Sequence, residues 1–177
     1  MKEWIQNRYS ESTFNKCTHK PLPRIKIEPV AIKLRPGYDK KLIKTASIVP
    51  AQLRDEAKRQ LDQDLEMEIV RRCPENQHPE INNRMHVVGK GNGKVRRTID
   101  MRFLNLQCTR ELNFTTPPFQ KVQDVPPNTW KTVLDAWNGY HSVPIAEESK
   151  HLTTFITEWG TFEYNVLLQG HKTSKDV

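Results

Sequence analysis

The chain has 177 residues, of which 36% are hydrophobic and 8% aromatic, enough for one core or for one domain with an arm. No run of about 18 apolar residues occurs, which excludes a transmembrane helix, and Met1–Asn7 carries no apolar stretch of a signal peptide. Three widely spaced cysteines, Cys17, Cys73 and Cys108, match neither a zinc nor a disulfide framework, so an intracellular, reducing setting is expected, cytoplasmic or nuclear. The net charge of +7 is unevenly placed: +7 over residues 1–50, +3 over 51–110 and −3 over 111–177. Such polarity suits a protein that grips a polyanion and then presents carboxylates. Charge alone more often marks a solvated basic surface.

Ile5, Tyr9 and Thr13 recur at helical spacing, which predicts a short helix within residues 1–16. Between His19 and Pro50 stand Pro21, Pro23, Pro29, Pro36 and Pro50, so this stretch reads as an extended or irregular basic arm or linker over 1–49. Leu53, Ala57, Leu61 and Leu65 then follow at a spacing of four with charged residues on the other faces, predicting an amphipathic helix over 51–66. Ile69-Val70 reads as a short strand ended by Cys73-Pro74. Met85–Val88 and Val95–Ile99 flank Gly89-Lys90-Gly91-Asn92-Gly93-Lys94, a hairpin with a basic, glycine-rich tip. Pro117-Pro118 and Pro126-Pro127 bracket a predicted loop, and Thr132-Val133-Leu134 reads as a short strand ending on Asp135. His151–Thr157 and Thr161–Val166 enclose Glu158-Trp159-Gly160 as a second hairpin.

An aspartate at the end of a buried strand, before a glycine-containing turn, is one way to present a metal ligand. Taken alone, Asp135 is more often a turn or cap residue. Its surroundings change that reading. Lys131-Thr-Val-Leu-Asp-Ala-Trp-Asn-Gly-Tyr140 and the residues up to Gly160 resemble the first catalytic motif of reverse transcriptases from gypsy-type LTR retrotransposons and their retroviral relatives. Upstream, Gly93-Lys-Val-Arg-Arg-Thr-Ile-Asp-Met-Arg-Phe-Leu-Asn105 is similar to that family's fingers motif. Downstream, Tyr164-Asn-Val-Leu-Leu-Gln-Gly170 is similar to its Pro-Gln-Gly motif. The three stand in family order and cover about residues 50–177.

The resemblance implies an α+β fold, the fingers and first part of the palm of a right-hand polymerase over 50–177, preceded by the arm. It implies template-directed nucleotidyl transfer on RNA or DNA, with two Mg²⁺ ions about 4 Å apart stabilising the attacking and leaving oxygens. By the same resemblance Asp135 is a metal ligand and the catalytic carboxylate, with the backbone at Ala136 near the triphosphate. Tyr140 matches the aromatic gate beneath the sugar, and Arg96 the arginine that packs over the incoming base and reaches its phosphates, a task suited to a planar guanidinium. Gln169 and Gly170 match contacts to the nucleotide sugar and template. Either Lys90 or Lys94 would contact the triphosphate, and Arg84, Lys94, Arg97 and Arg102 would grip nucleic acid. For Asp100, Arg102 and Asn105 a structural role joining fingers to palm is the better reading, and for His141 packing or a hydrogen bond. Implied partners are a template-primer, a deoxynucleotide and the remaining Pol polyprotein regions (palm, thumb, RNase H and integrase), with no membrane.

The chain departs from the family pattern in several places. No Asp-Asp pair occurs, so the Tyr-x-Asp-Asp motif that completes the metal site is expected to lie beyond Val177. Leu168 stands where the family has proline, and Glu68 where it has a glycine at a helix end that favours positive φ. One carboxylate cannot hold two Mg²⁺ ions, so a fragment inactive alone is expected. The alternative is a nucleic-acid-binding remnant of a transposable element without chemistry.

Overall fold

The computed structural model describes residues 2–8, 21–91, 94–109, 116–133 and 139–175. In chain order, helix α1 (Lys2–Arg8) precedes the proline-rich segment, and α2 (Ala51–Glu66) leads into strand β1 (Val70–Arg72). Strands β2 (Asn83–Gly89) and β3 (Val95–Ile99) form the first hairpin, followed by α3 (Arg102–Gln107) and α4 (Pro118–Gln123). Helix α5 (Glu147–Lys150) and strands β4 (Phe155–Thr157) and β5 (Gly160–Tyr164) complete the fold.

The five strands form one sheet in the order β1-β5-β4-β2-β3. Every neighbouring pair is antiparallel except β2 and β4, which run parallel through Asn83↔Phe155 and Arg84↔Ile156. Helix α2 takes the bounds that its leucine spacing predicts; of its buried residues, Leu61 packs with Met67, Met85, Phe155, Phe162 and Val166, and Ala57 with Val49 and Val95. Burying each large apolar side chain of this kind contributes about 2 kcal/mol. A second cluster gathers around α3: Leu104 and Cys108 with Ile32, Ile81, Met101, Val143, Ile145, Leu152, Leu167 and Leu168.

Residues 21–50 are irregular, as their prolines dictate, yet they lie along the body. Leu22, Ile32 and Val49 are buried, and isolated bridges join Val30 to Ile145, Leu34 to Cys108 and Lys41 to Ile81. Each proline removes a donor without preventing a single bridge between prolines, which is why the segment is pinned at points rather than paired as a strand.

The expected short helix within residues 1–16 is present over Lys2–Arg8, and Tyr9 and Thr13 lie outside the described residues. Several other sequence expectations are corrected. The predicted loop between the two proline pairs contains α4, whose first residue is Pro118. A first-turn proline forfeits no helical hydrogen bond and presets φ, so Pro-Pro opens a helix here. Thr132 and Val133 are not in a strand, and Val133 is 91% exposed with no paired neighbour among the described residues, while Leu134 lies outside them. In the second hairpin His151–Thr153 is a 3-10 turn rather than strand. The Thr153 and Thr154 hydroxyls donate to the carbonyls of Lys150 and His151 at 2.6 and 2.7 Å, holding a turn that competes with the ladder.

The end of α2 confirms a positive-φ position. Glu68 has φ of 54°, with Glu68 N–H donating to Leu65 and Ile69 N–H to Asp64. This is the paired-carbonyl closure usually built on glycine. The Glu68 carbonyl is in turn gripped by Arg24 Nη2 at 2.6 Å and Asn165 Nδ2 at 2.9 Å. Left-handed backbone costs a side-chain-bearing residue about 1–2 kcal/mol, so Glu68→Gly is expected to stabilise the fold by about 1 kcal/mol. Thermal denaturation should register this as a rise of about 2–4 °C in Tm; a fall would show that the glutamate side chain contributes more than the strain removes.

Candidate nucleotide-binding cavity

Strand β3 sets the site through its period of two. Val95, Arg97 and Ile99 are on the face toward α2, while Arg96 and Thr98 are exposed on the other. Arg97 Nη2 meets Asp64 Oδ2 of α2 at 2.5 Å, and the two side chains are only 15% and 21% exposed. The same guanidinium reaches Gln60, donating to its side-chain oxygen at 3.4 Å and its carbonyl at 3.3 Å. Arg97 is thus committed to α2, which leaves Arg96 as the arginine of the pair without an ion-pair partner among the described residues.

A second element approaches from the far end of the chain. Asn105, on α3, donates from Nδ2 to the Gly170 carbonyl at 2.8 Å and accepts the Lys172 N–H at Oδ1, also at 2.8 Å. One side-chain amide therefore fastens both sides of the loop that carries Gln169 and Gly170. Gly170 has φ of 91°, a backbone state that a Cβ disfavours, and Ser174 Oγ secures the loop from below by donating to the Leu168 carbonyl at 2.7 Å. Leu168 is 2% exposed, so the residue in the family's proline position serves the core. Beneath the loop His171 lies against Cys108, Nε2 to Sγ 3.5 Å. Burial pushes the thiol up to about 11 and the imidazole down to about 4, so both are uncharged at neutral pH.

Between these elements lies a cavity of about 340 Å³, lined by Asp64, Arg96, Arg97, Thr98, Ile99, His141, Tyr164, Gln169 and Gly170. His141 comes from the 3-10 turn Gly139–Ser142, and Arg24 Nη1 donates to its carbonyl at 3.0 Å. Its Nδ1 is buried without a hydrogen-bond partner. Burial is the main cause holding the His141 imidazole below its ordinary pKa, and the Tyr164 phenol above its own. A larger groove, about 680 Å³, runs along β1 past Arg24, Arg71 and Lys150, and is lined by none of the site residues singled out from sequence.

Of the residues singled out from sequence, the structure brings Arg96, Gln169 and Gly170 into this one cavity, with Arg97 in its wall. Tyr140, 39% exposed, stands beside His141 but does not line it. Lys90 and Lys94 are exposed at the hairpin tip, where Lys90 N–H donates to the Lys94 carbonyl at 2.7 Å. Arg84 donates to Thr45 Oγ1 at 3.3 Å while its Nε is buried and unpartnered. Arg102 forks onto Asp100 at 2.8 and 2.7 Å, holding that carboxyl at about 2, so the pair shapes the start of α3. Asp135 and Ala136 lie outside the described residues. Sequence reasoning missed Asp64 and gave His141 only packing or a hydrogen bond. Asp64 falls on the same helical stripe as Ala57 and Leu61, and a carboxylate in that stripe was the available signal.

Among the described residues no group of three His, Cys, Asp or Glu side chains could hold a metal ion. They do not by themselves make the two-ion site that the resemblance implies.

No family model matches the chain. Solved structures do share its fold, at 18–19% sequence identity. A selenomethionine-labelled CSH mutant of prototype foamy virus protease-reverse transcriptase superposes with a TM-score of 0.78 at 19% identity, covering 97% of this chain and 22% of that one. The native prototype foamy virus enzyme gives 0.75 at 19%, with the same coverage. A foamy viral protease-reverse transcriptase in complex with dsDNA gives 0.76 at 18%, covering 97% of this chain and 34% of that one. The fold is therefore reverse transcriptase-like, and the chain spans between about a fifth and a third of these structures.

Proposed function

We propose that the chain is the fingers and first part of the palm of a reverse transcriptase, of the kind carried in gypsy-type LTR retrotransposon Pol polyproteins, and that its cavity binds an incoming deoxynucleotide. The observation that carries this is the meeting of Arg96 with Gln169 and Gly170, from separate sequence motifs, around one cavity. In this reading the Arg96 guanidinium binds phosphate oxygens and stacks on the base. Gln169 offers an amide to the sugar, and the Gly170 backbone lets the ligand approach. Asp135 is proposed as a Mg²⁺ ligand whose further carboxylates are supplied outside this chain, so nucleotide binding is expected here without polymerisation. Template-primer is the proposed partner, a reading supported by the dsDNA held in a structure of the same fold and by the basic first half of the chain.

The test is metal-free binding of dATP. Arg96→Gln is expected to weaken it about tenfold, the loss of one charge-assisted contact, with Tm unchanged. Equal affinity in both proteins would sink the cavity assignment. The second reading, a nucleic-acid-binding remnant, is supported by the basic first half of the chain. It expects duplex affinity that falls steeply with salt and no dATP binding.

A further inference from the structure

The cavity has two arginines in its wall and one carboxylate, Asp64, close against one of them. Asp64 arrives from α2, an element outside all three motifs, and binds Arg97 rather than solvent. Both members of the pair act on the cavity's other titratable groups: Asp64 raises and Arg97 lowers the pKa of both His141 and Tyr164, and Arg24 adds to the lowering at His141. The two influences are opposite in sign at each group, as expected of a paired unit seen from inside the cavity. Its low exposure limits screening by solvent and salt.

We propose that Asp64 is a specificity-determining residue that neutralises Arg97, so that the cavity presents one working cation, Arg96, to an anionic ligand. This rests on the nucleotide reading above and deepens it. An unpaired second guanidinium would raise affinity for any oligophosphate, product pyrophosphate included, without regard to base or sugar. Pairing it with a carboxylate keeps the guanidinium as a strut between β3 and α2 while removing its pull on phosphate. Gln60, which contacts Arg97 at its side chain and carbonyl, fixes the strut's orientation.

The experiment measures binding of inorganic tripolyphosphate to the chain in the presence of a chelator, across a range of salt. Asp64→Asn should tighten binding about tenfold and steepen its salt dependence, because Arg97 is released. Arg97→Gln should weaken it, because Asp64 then stands unpaired in the wall. The double variant Asp64→Asn/Arg97→Gln, neutral at both positions, should return to the parent affinity and salt slope. A purely structural role would give additive losses of stability with no change in salt slope, and that result would overturn the proposal. Circular dichroism and Tm on each variant separate misfolding from charge effects, and the double variant keeps the test decisive if Asp64→Asn alone unfolds. Arg96→Gln in the same assay distinguishes the two levels: if it binds tripolyphosphate like the parent, the nucleotide reading fails, whereas a weakened Arg96→Gln with an unaffected Asp64→Asn refutes only the role of Asp64.

Discussion

Replacing Arg71 with leucine is expected to destabilise the fold by about 3–5 kcal/mol, lowering Tm by about 10 °C. Arg71 lies on β1 and bridges two carboxylates, with Nε 2.6 Å from Glu163 and Nη2 on Glu147. The Glu163 side chain is fully buried (0% exposed) and its second oxygen accepts from Gln77 Nε2 at 2.8 Å. Removing the guanidinium leaves a carboxylate in the interior with one neutral donor, and an uncompensated buried charge is among the costliest defects a single substitution makes. The double variant Arg71→Leu/Glu163→Leu should recover most of the stability, since apolar replacement of a buried pair is often neutral. Urea unfolding of the single and double variants at pH 7 checks both points; a double variant no more stable than Arg71→Leu would show that the stranded carboxylate is not the source of the loss.

The second large effect is acid lability centred on His171. Its imidazole is 2% exposed and is held down to about 4, chiefly by burial and then by the charge of Lys172. A depressed base works in a definite direction: the unfolded chain takes its proton near pH 6.5, while the folded one resists until about pH 4. This histidine therefore leaves stability unchanged above about pH 7 and withdraws it progressively between pH 6.5 and 4, by roughly 3 kcal/mol in all. Carboxylates add their own slope below pH 5, so the comparison is with His171→Gln, in which stability should fall less between pH 7 and 5. Parallel curves for the two proteins would rule the histidine out. Because the ring sits directly under the Gly170 loop, acid should also weaken dATP binding before it unfolds the chain.

Local patterns in the sequence were read well where a short-range rule decides the outcome. Leucine spacing placed α2, the Asn-Gly tip placed the β2–β3 hairpin, and the positive φ at Glu68 follows from its place after the helix. The misreadings share a cause, competition that only the folded chain reveals. Threonine hydroxyls drew His151–Thr153 out of the strand, and Pro118 began a helix where a proline pair suggested a loop. At the site, motif order indicated Arg96, Gln169 and Gly170 as partners, and they share a cavity. Arg96 and Arg97 could not be separated by residue type. Strand alternation turned them to opposite faces, and a carboxylate thirty-three positions upstream claimed one of them.

The parallel junction of β2 and β4 joins the two hairpins through only two residue pairs, Asn83↔Phe155 and Arg84↔Ile156. Apart from that ladder, Asn83 Nδ2 supplies a stitch to the Thr154 carbonyl at 2.9 Å. Each hairpin closes over a short loop, whereas this junction brings together segments some seventy residues apart through two pairs, fewer than the three that join β1 to β5. It is the seam of the sheet. Pulling the chain apart, or warming it toward its midpoint, should unzip the molecule there first, freeing the basic hairpin as a unit while β1, β5 and β4 stay together.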